Sequence, residues 1–94
     1  MSRVVVRIAI ATAVALASVG ARAGDDCTVA DPTGTPLNVR LAPNATIIGT
    51  IANGMGVRIM HTSRDSQGRL WVHVVHDESG ADIGWVYRRY LDCP

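Results

Sequence analysis

Four groupings of side chains carry the residue types that chemistry needs. His73 and His76 have the look of the end of a metal motif. On a strand, however, residues three apart face opposite sides of the sheet, and no third ligand lies close enough to complete a set. They are expected as exposed strand and loop histidines. Asp77, Glu78 and Asp82 are paired acids, but they sit in a Gly-containing loop with nothing to push one carboxyl up into the range of a general acid. Solvated loop charges are the expectation. Cys27 and Cys93 have no histidine nearby in sequence to hold a thiolate, so a sulfur nucleophile is not indicated. No catalytic set, metal site or cofactor motif emerges. The fourth grouping is aromatic. The chain has two Trp, two Tyr and no Phe, and all four rings fall between Trp71 and Tyr90. Trp and Tyr join apolar bulk to a polar tip, the combination that binding faces use.

Short strands must position these rings. Leu37, Val39 and Leu41 alternate with Asn38 and Arg40, as on a strand with one buried face. Ala42-Pro43-Asn44 ends it, since proline gives no ladder donor and Asn favours turns. Ile47, Ile48 and Ile51 form the next strand, and Asn53-Gly54 breaks it with a turn that suits positive φ. Val57, Ile59 and His61 line one face of the strand after that. Thr62 to Gly68 is polar and is expected as a loop. Leu70, Val72 and Val74 point one way, and Trp71, His73 and Val75 the other. If the valines are core, Trp71 is partly outside. His76 to Asp82 is a second polar loop. From Gly84 onward, Trp85 and Tyr87 share a face opposite Val86, and Arg88-Arg89-Tyr90 reads as one tight helical turn before Leu91. Strands this short, with turns at this spacing, indicate a small all-β barrel or sandwich.

Three segments carry a family resemblance: Leu37-Asn38-Val39-Arg40, Leu70-Trp71-Val72-His73-Val74, and Gly84-Trp85-Val86 with Tyr90-Leu91 following. Together they resemble the bacterial SH3 domain family over about Leu37 to Leu91. The alternating apolar sets and the turn spacing point to a bent barrel of five or six short antiparallel strands with one 3-10 turn. Its expected core is Leu37, Val39, Ile59, Val72, Val74 and Val86, and the resemblance implies the same fold. It also implies a ligand groove across Trp71 and Tyr90, flanked by Trp85 and Tyr87, with Arg88 or Arg89 supplying charge. Two departures count against a groove for proline-rich helices. Tyr87 stands where the wider SH3 pattern has a proline, and the early strand carries no aromatic. The competing reading has Trp85 and Tyr90 sealing the small barrel.

The start of the chain is of another kind. Arg3 and Arg7 precede an apolar run from Ile8 to Val19, and Ala21-Arg22-Ala23 follows, the pattern of a secretory signal peptide cut after Ala23. The run is Ala-rich and shorter than the roughly 17–25 residues of a membrane-spanning helix. The expected organisation is thus a signal over 1–23, an irregular lead-in over 24–36 and one small domain over 37–94. The full chain has nine basic and eight acidic residues, and loss of Arg3, Arg7 and Arg22 leaves six against eight, a net charge of −2. That balance excludes the basic footprint of a nucleic-acid binder, and no polybasic cluster addresses anionic lipid. In an exported small domain, Cys27 and Cys93 are expected as a structural disulfide.

Two functions fit. One is a non-catalytic module of the bacterial cell envelope, periplasmic or secreted, that recognises peptidoglycan or its peptides, as the resemblance implies. The other is an adaptor or inhibitor that binds a folded envelope protein.

Overall fold

The computed structural model describes residues 22–94; the expected signal segment, apart from Arg22 and Ala23, lies outside the described residues. Seven strands follow in order: β1 (Asp26–Val29), β2 (Leu37–Arg40), β3 (Ile47–Ile51), β4 (Gly56–Arg64), β5 (Leu70–His76), β6 (Asp82–Tyr87) and β7 (Leu91–Asp92). A 3-10 turn, Arg88–Tyr90, separates β6 from β7. All registered pairs are antiparallel, in the order β3-β2-β6-β5-β4-β1-β7. The sheet is not closed, and β3 and β7 are its edges. Even so, Ile51 of β3 and Leu91 of β7 share one buried cluster with the central strands. A flat sheet holds its two edges too far apart for that. The sheet therefore curls round its core as an open, loose barrel. Among the described residues no helix is long and apolar enough to cross a membrane.

The expected core is buried in full: Leu37, Val39, Ile59, Val72, Val74 and Val86 all lie inside, joined by Cys27, Val29, Ile51, Val57 and Leu91. Period-two alternation suffices to find the first set, because each lies on a strand with one wet face.

Where expectation and structure part, the cause is a bulge or a backbone ladder that composition does not reveal. Leu41 is 67% exposed because β2 stops at Arg40; the Leu41 N–H then turns to the Thr46 carbonyl at 3.0 Å. Asn44, at φ 60°, reverses the chain between them. His61 does not continue the face of Val57 and Ile59. The register moves from Ile59↔Val74 to His61↔His73, so Met60 is the extra residue of a bulge and His61 faces outward with His73. Thr62, Ser63 and Arg64, read as loop, are strand, paired with Val72, Trp71 and Leu70. Their polar side chains suit the exposed side of a hairpin, and the ladder outweighs composition. The lead-in is not irregular throughout either: β1 pairs with β4 on one side and β7 on the other. It brings Cys27 to Cys93, and the two form a disulfide with Cα atoms 4.3 Å apart.

The turn of Asn53 and Gly54 forms as expected, with Gly54 at φ 89°. Gly84 is the more demanding glycine. It is buried at φ 140°, and a β-carbon there would meet Val39 Cγ1 at 2.7 Å and the Arg40 carbonyl oxygen at 3.0 Å. This is where β2 crosses β6, joined by the pair Arg40↔Trp85.

Two outcomes follow for stability. Gly84→Ala combines a disfavoured φ with a backbone clash, and is expected to destabilise the domain by about 2–4 kcal/mol in denaturant melts. A change under about 0.5 kcal/mol would mean that β2 can move aside. Cys27→Ser or Cys93→Ser is expected to lower the melting temperature by roughly 10 °C or more, given the roughly 2–5 kcal/mol at stake and the small size of the domain. The same melts, with and without reductant on the parent protein, check it.

Candidate binding cleft

The antiparallel register of β5 and β6 sets the rings. Trp71 pairs with Tyr87, and His73 with Trp85, all on the face opposite Val72, Val74 and Val86. The 3-10 turn then swings Tyr90 back beside Tyr87, with ring centroids 5.2 Å apart at 88°. Trp71 and Tyr87 lie 5.4 Å apart at 46°. The Ala30 N–H donates to the Tyr90 carbonyl at 2.9 Å, which ties the turn to the chain leaving β1.

These three rings form one side of a cleft of about 220 Å³. Leu37, Asn38 and Arg40 of β2, Asn44 of the β2–β3 loop, Arg69 of the β4–β5 turn and Asp31 of the β1–β2 connection complete its lining. Two larger depressions, of about 390 and 450 Å³, lie along β3 and around the β3–β4 turn, and neither is lined by Trp or Tyr.

Trp71 is not partly outside, as the alternation implied; only 6% of it is exposed. Its position opposite the valines is as expected, but that face is covered. The Arg40 guanidinium lies 5.9 Å from the centre of the indole, within cation–π range. It is held there by donation from Nη1 to the Ala45 carbonyl at 2.7 Å. Trp71 thus floors the cleft while Tyr87 and Tyr90, both half-buried, present ring surface to it.

Asp65, in the β4–β5 turn, fixes this arrangement. Its Oδ2 accepts from Trp71 Nε1 at 2.9 Å, Arg69 Nε at 2.8 Å and Asn44 Nδ2 at 2.9 Å. Its Oδ1 accepts the backbone N–H groups of Gln67 and Arg69 at 2.9 and 3.0 Å. The side chain is only 4% exposed. Desolvation pulls this carboxyl upward, but donation from Trp71, Arg69 and Gln67 outweighs it and holds the group well below the usual carboxylate range. Sequence reading passed over Asp65 as part of a polar loop. The available signal was Asp65-Ser66-Gln67-Gly68, an Asp at the head of a turn with Gly three residues on.

The other candidate residues lie elsewhere. Trp85 is half-buried beside His73, with centroids 5.7 Å apart, outside the cleft lining. Arg88 turns back to donate from Nη1 to the Leu91 carbonyl at 3.3 Å, and Arg89 is exposed. Neither lines the cleft, whose cations are Arg40 and Arg69. His73 faces not His76 but His61, stacked at 5.5 Å, and its Nε2 lies 2.6 Å from Asp82 Oδ1. Asp82 is solvated as expected, its side chain 72% exposed, and it also meets this imidazole. Among the described residues, no three of His, Cys, Asp and Glu gather as metal ligands would.

Asp65→Asn tests the anchor. An amide has one acceptor oxygen where the carboxylate has two, so at least two of the five donors lose their partner whichever way it turns. The melting temperature is expected to fall by several degrees near neutral pH. A carboxyl whose folded value is depressed contributes stability above its unfolded value, near 4, and loses it on acidification below that. Melts from pH 2 to 6 are therefore expected to show a shallower acid loss for the variant than for the parent. Equal slopes would show that Asp65 stores no such linkage.

Residues 35–92 match the bacterial SH3 domain, the region that holds β2 to β7 and every lining residue of the cleft except Asp31. No curated protein and no solved structure matches the chain. The open seven-stranded fold, its curled core and this match over more than half of the sequence agree, and the chain belongs to the bacterial SH3 domain family.

Proposed function

We propose that this protein is a non-catalytic binding module of the bacterial cell envelope that recognises peptidoglycan or its peptides through the cleft of Trp71, Tyr87 and Tyr90. Bacterial SH3 domains are generally binding modules, often connected with the cell wall. The observation that carries the reading is the cleft: two accessible tyrosine rings over a fixed indole, edged by amide and guanidinium donors. Few, well-placed polar groups beside aromatic surface are what a small-ligand site requires. An oxidising compartment fits the disulfide. Export through a signal peptide over 1–23 would deliver the chain there, with 37–94 as the binding domain. Trp85, Arg88 and Arg89 would then act at the margin of the bound polymer.

A protein partner is the second reading. It is favoured by the edge strand β3, which carries no charge and leaves Ile47 and Ile48 47% and 53% exposed.

Sedimentation with purified sacculi separates the two. The parent protein is expected to co-sediment, and Tyr87→Ala and Tyr90→Ala to weaken binding about tenfold or more, the loss typical of an aromatic hot spot. Thermal melts of both variants must remain cooperative for the comparison to count. Failure of the parent to bind sacculi, with specific capture of a folded envelope protein, would favour the second reading.

A further inference from the structure

Three features of the cleft narrow its ligand. The first is shape. A sugar ring stacks best on a broad, open aromatic face, and the indole of the cleft does not offer one. The Trp71 indole is covered by Arg40 and almost fully buried. Tyr87 and Tyr90 stand at 88° to each other, a V-shaped slot rather than a platform. At about 220 Å³ the space is also smaller than the roughly 300–1,000 Å³ that encloses a drug-sized molecule, so it suits a single chain unit or chain end.

The second feature is charge. Arg69 is spent on Asp65, its Nε 2.8 Å from Oδ2, and its Nη2 donates to Asn44 Oδ1 at 3.3 Å. That neutral pair leaves Arg40 and Asp31 as the opposite charges lining the cleft. They are not paired with each other among the described residues.

The third feature is unused hydrogen-bonding capacity. Arg40 gives only Nη1 to the protein, and its other N–H groups have no partner among the described residues. Asp31 receives Thr33 N and Oγ1 on Oδ1, at 2.8 and 2.6 Å, and its Oδ2 accepts nothing among them. The Asp31 backbone is itself fixed, since its N–H donates to Asn53 Oδ1 at 2.6 Å.

We infer that the cleft takes a short zwitterionic peptide, its carboxylate on Arg40 and its ammonium on Asp31, with the chain between them in the tyrosine slot. This rests on the peptidoglycan reading and chooses the peptide of the polymer over its glycan. A glycan chain stripped of peptide can carry carboxylates but offers no ammonium to Asp31.

Calorimetry on the oxidised full chain tests the inference with four probes. These are a synthetic tetrapeptide with a free side-chain amine and C-terminal carboxylate, its amine-acetylated form, its C-amidated form, and peptide-free glycan chains. The free tetrapeptide is expected to bind, and each cap to weaken it about tenfold or more, the scale of one lost charge-assisted hydrogen bond. Glycan chains are expected to bind at least tenfold more weakly than the peptide. Asp31→Asn should erase the penalty of acetylation while leaving that of amidation, and Arg40→Gln the reverse. Arg40 also packs on Trp71, so the Asp31 variant and the ligand caps decide the matter if Arg40→Gln does not fold. Equal binding of capped and free peptide, or binding of glycan in preference to peptide, overturns the inference. If sacculi still sediment the protein in that case, the wall-binding reading stands; if they do not, both fall.

Discussion

The close approach of β2 to β6 over Gly84 is the constraint on which the rest depends. Along the backbone, the β2–β3 hairpin meets the other five strands at one registered pair, Arg40↔Trp85, while Leu37, Val39 and Ile51 pack into the common core. With no side chain at Gly84, Val39 drops into the core and the Arg40 backbone lies close over β6. That same registered residue carries its side chain against Trp71. A backbone requirement at one buried glycine thus sets both the curl of the sheet and the far wall of the cleft.

The cleft is built on a second principle. Its aromatic side comes from strand register, but its ends come from loops, and loops are held by polar groups. Asp65 gathers the β4–β5 turn, Trp71 and, through Asn44, the β2–β3 loop. Asn53 does the same for the β1–β2 connection, accepting from Asp31 N and donating to the Thr35 carbonyl at 3.0 Å. Each anchor ties a distant loop to a turn next to the sheet. Charged hydrogen bonds count for more where water is excluded, and Asp65 is nearly enclosed. The site is therefore ordered before any ligand arrives, which lowers the entropic cost of binding.

How much of this was legible follows from the kind of signal each feature leaves. Buried residues on regular strands leave a period of two, and Val72, Val74 and Val86 could be read directly. Bulges leave no such mark. Met60 is an ordinary apolar residue beside Ile59, and nothing in its type says that the pattern slips there and turns His61 outward. The rings of the cleft were legible as a cluster, and their relative order came with the alternation of β5 and β6. The cations were not. Arg88 and Arg89 adjoin Tyr87 and Tyr90 in sequence, whereas Arg40 reaches the rings only through non-local pairing, and Arg69, two residues before Trp71, sits in a stretch that reads as polar loop. Asp65 shows the same limit: a turn Asp is visible, but its partners Asn44 and Trp71 lie on other elements.

The disulfide ties down the other side of the fold. A domain this small gains little from its core alone. Cys27 and Cys93 close a loop of 66 residues, for which chain entropy gives roughly 4 kcal/mol. That closure binds β1 to the end of β7, at the opposite edge of the sheet from β3. The β2–β3 side, which forms the cleft wall, carries no covalent tie and leaves Leu41, Ile47 and Ile48 exposed. The covalent tie thus secures β1 and β7, next to Asp31 and Tyr90 of the cleft, and leaves the β2–β3 wall to non-covalent contacts. The wall that holds Arg40 and Asn38 rests on Gly84, Asp65 and the β2–β3 ladder. Leu37, Val39 and Ile51 also root that wall in the common core, so Gly84 and Asp65 govern the shape of the cleft and the stability of the barrel together.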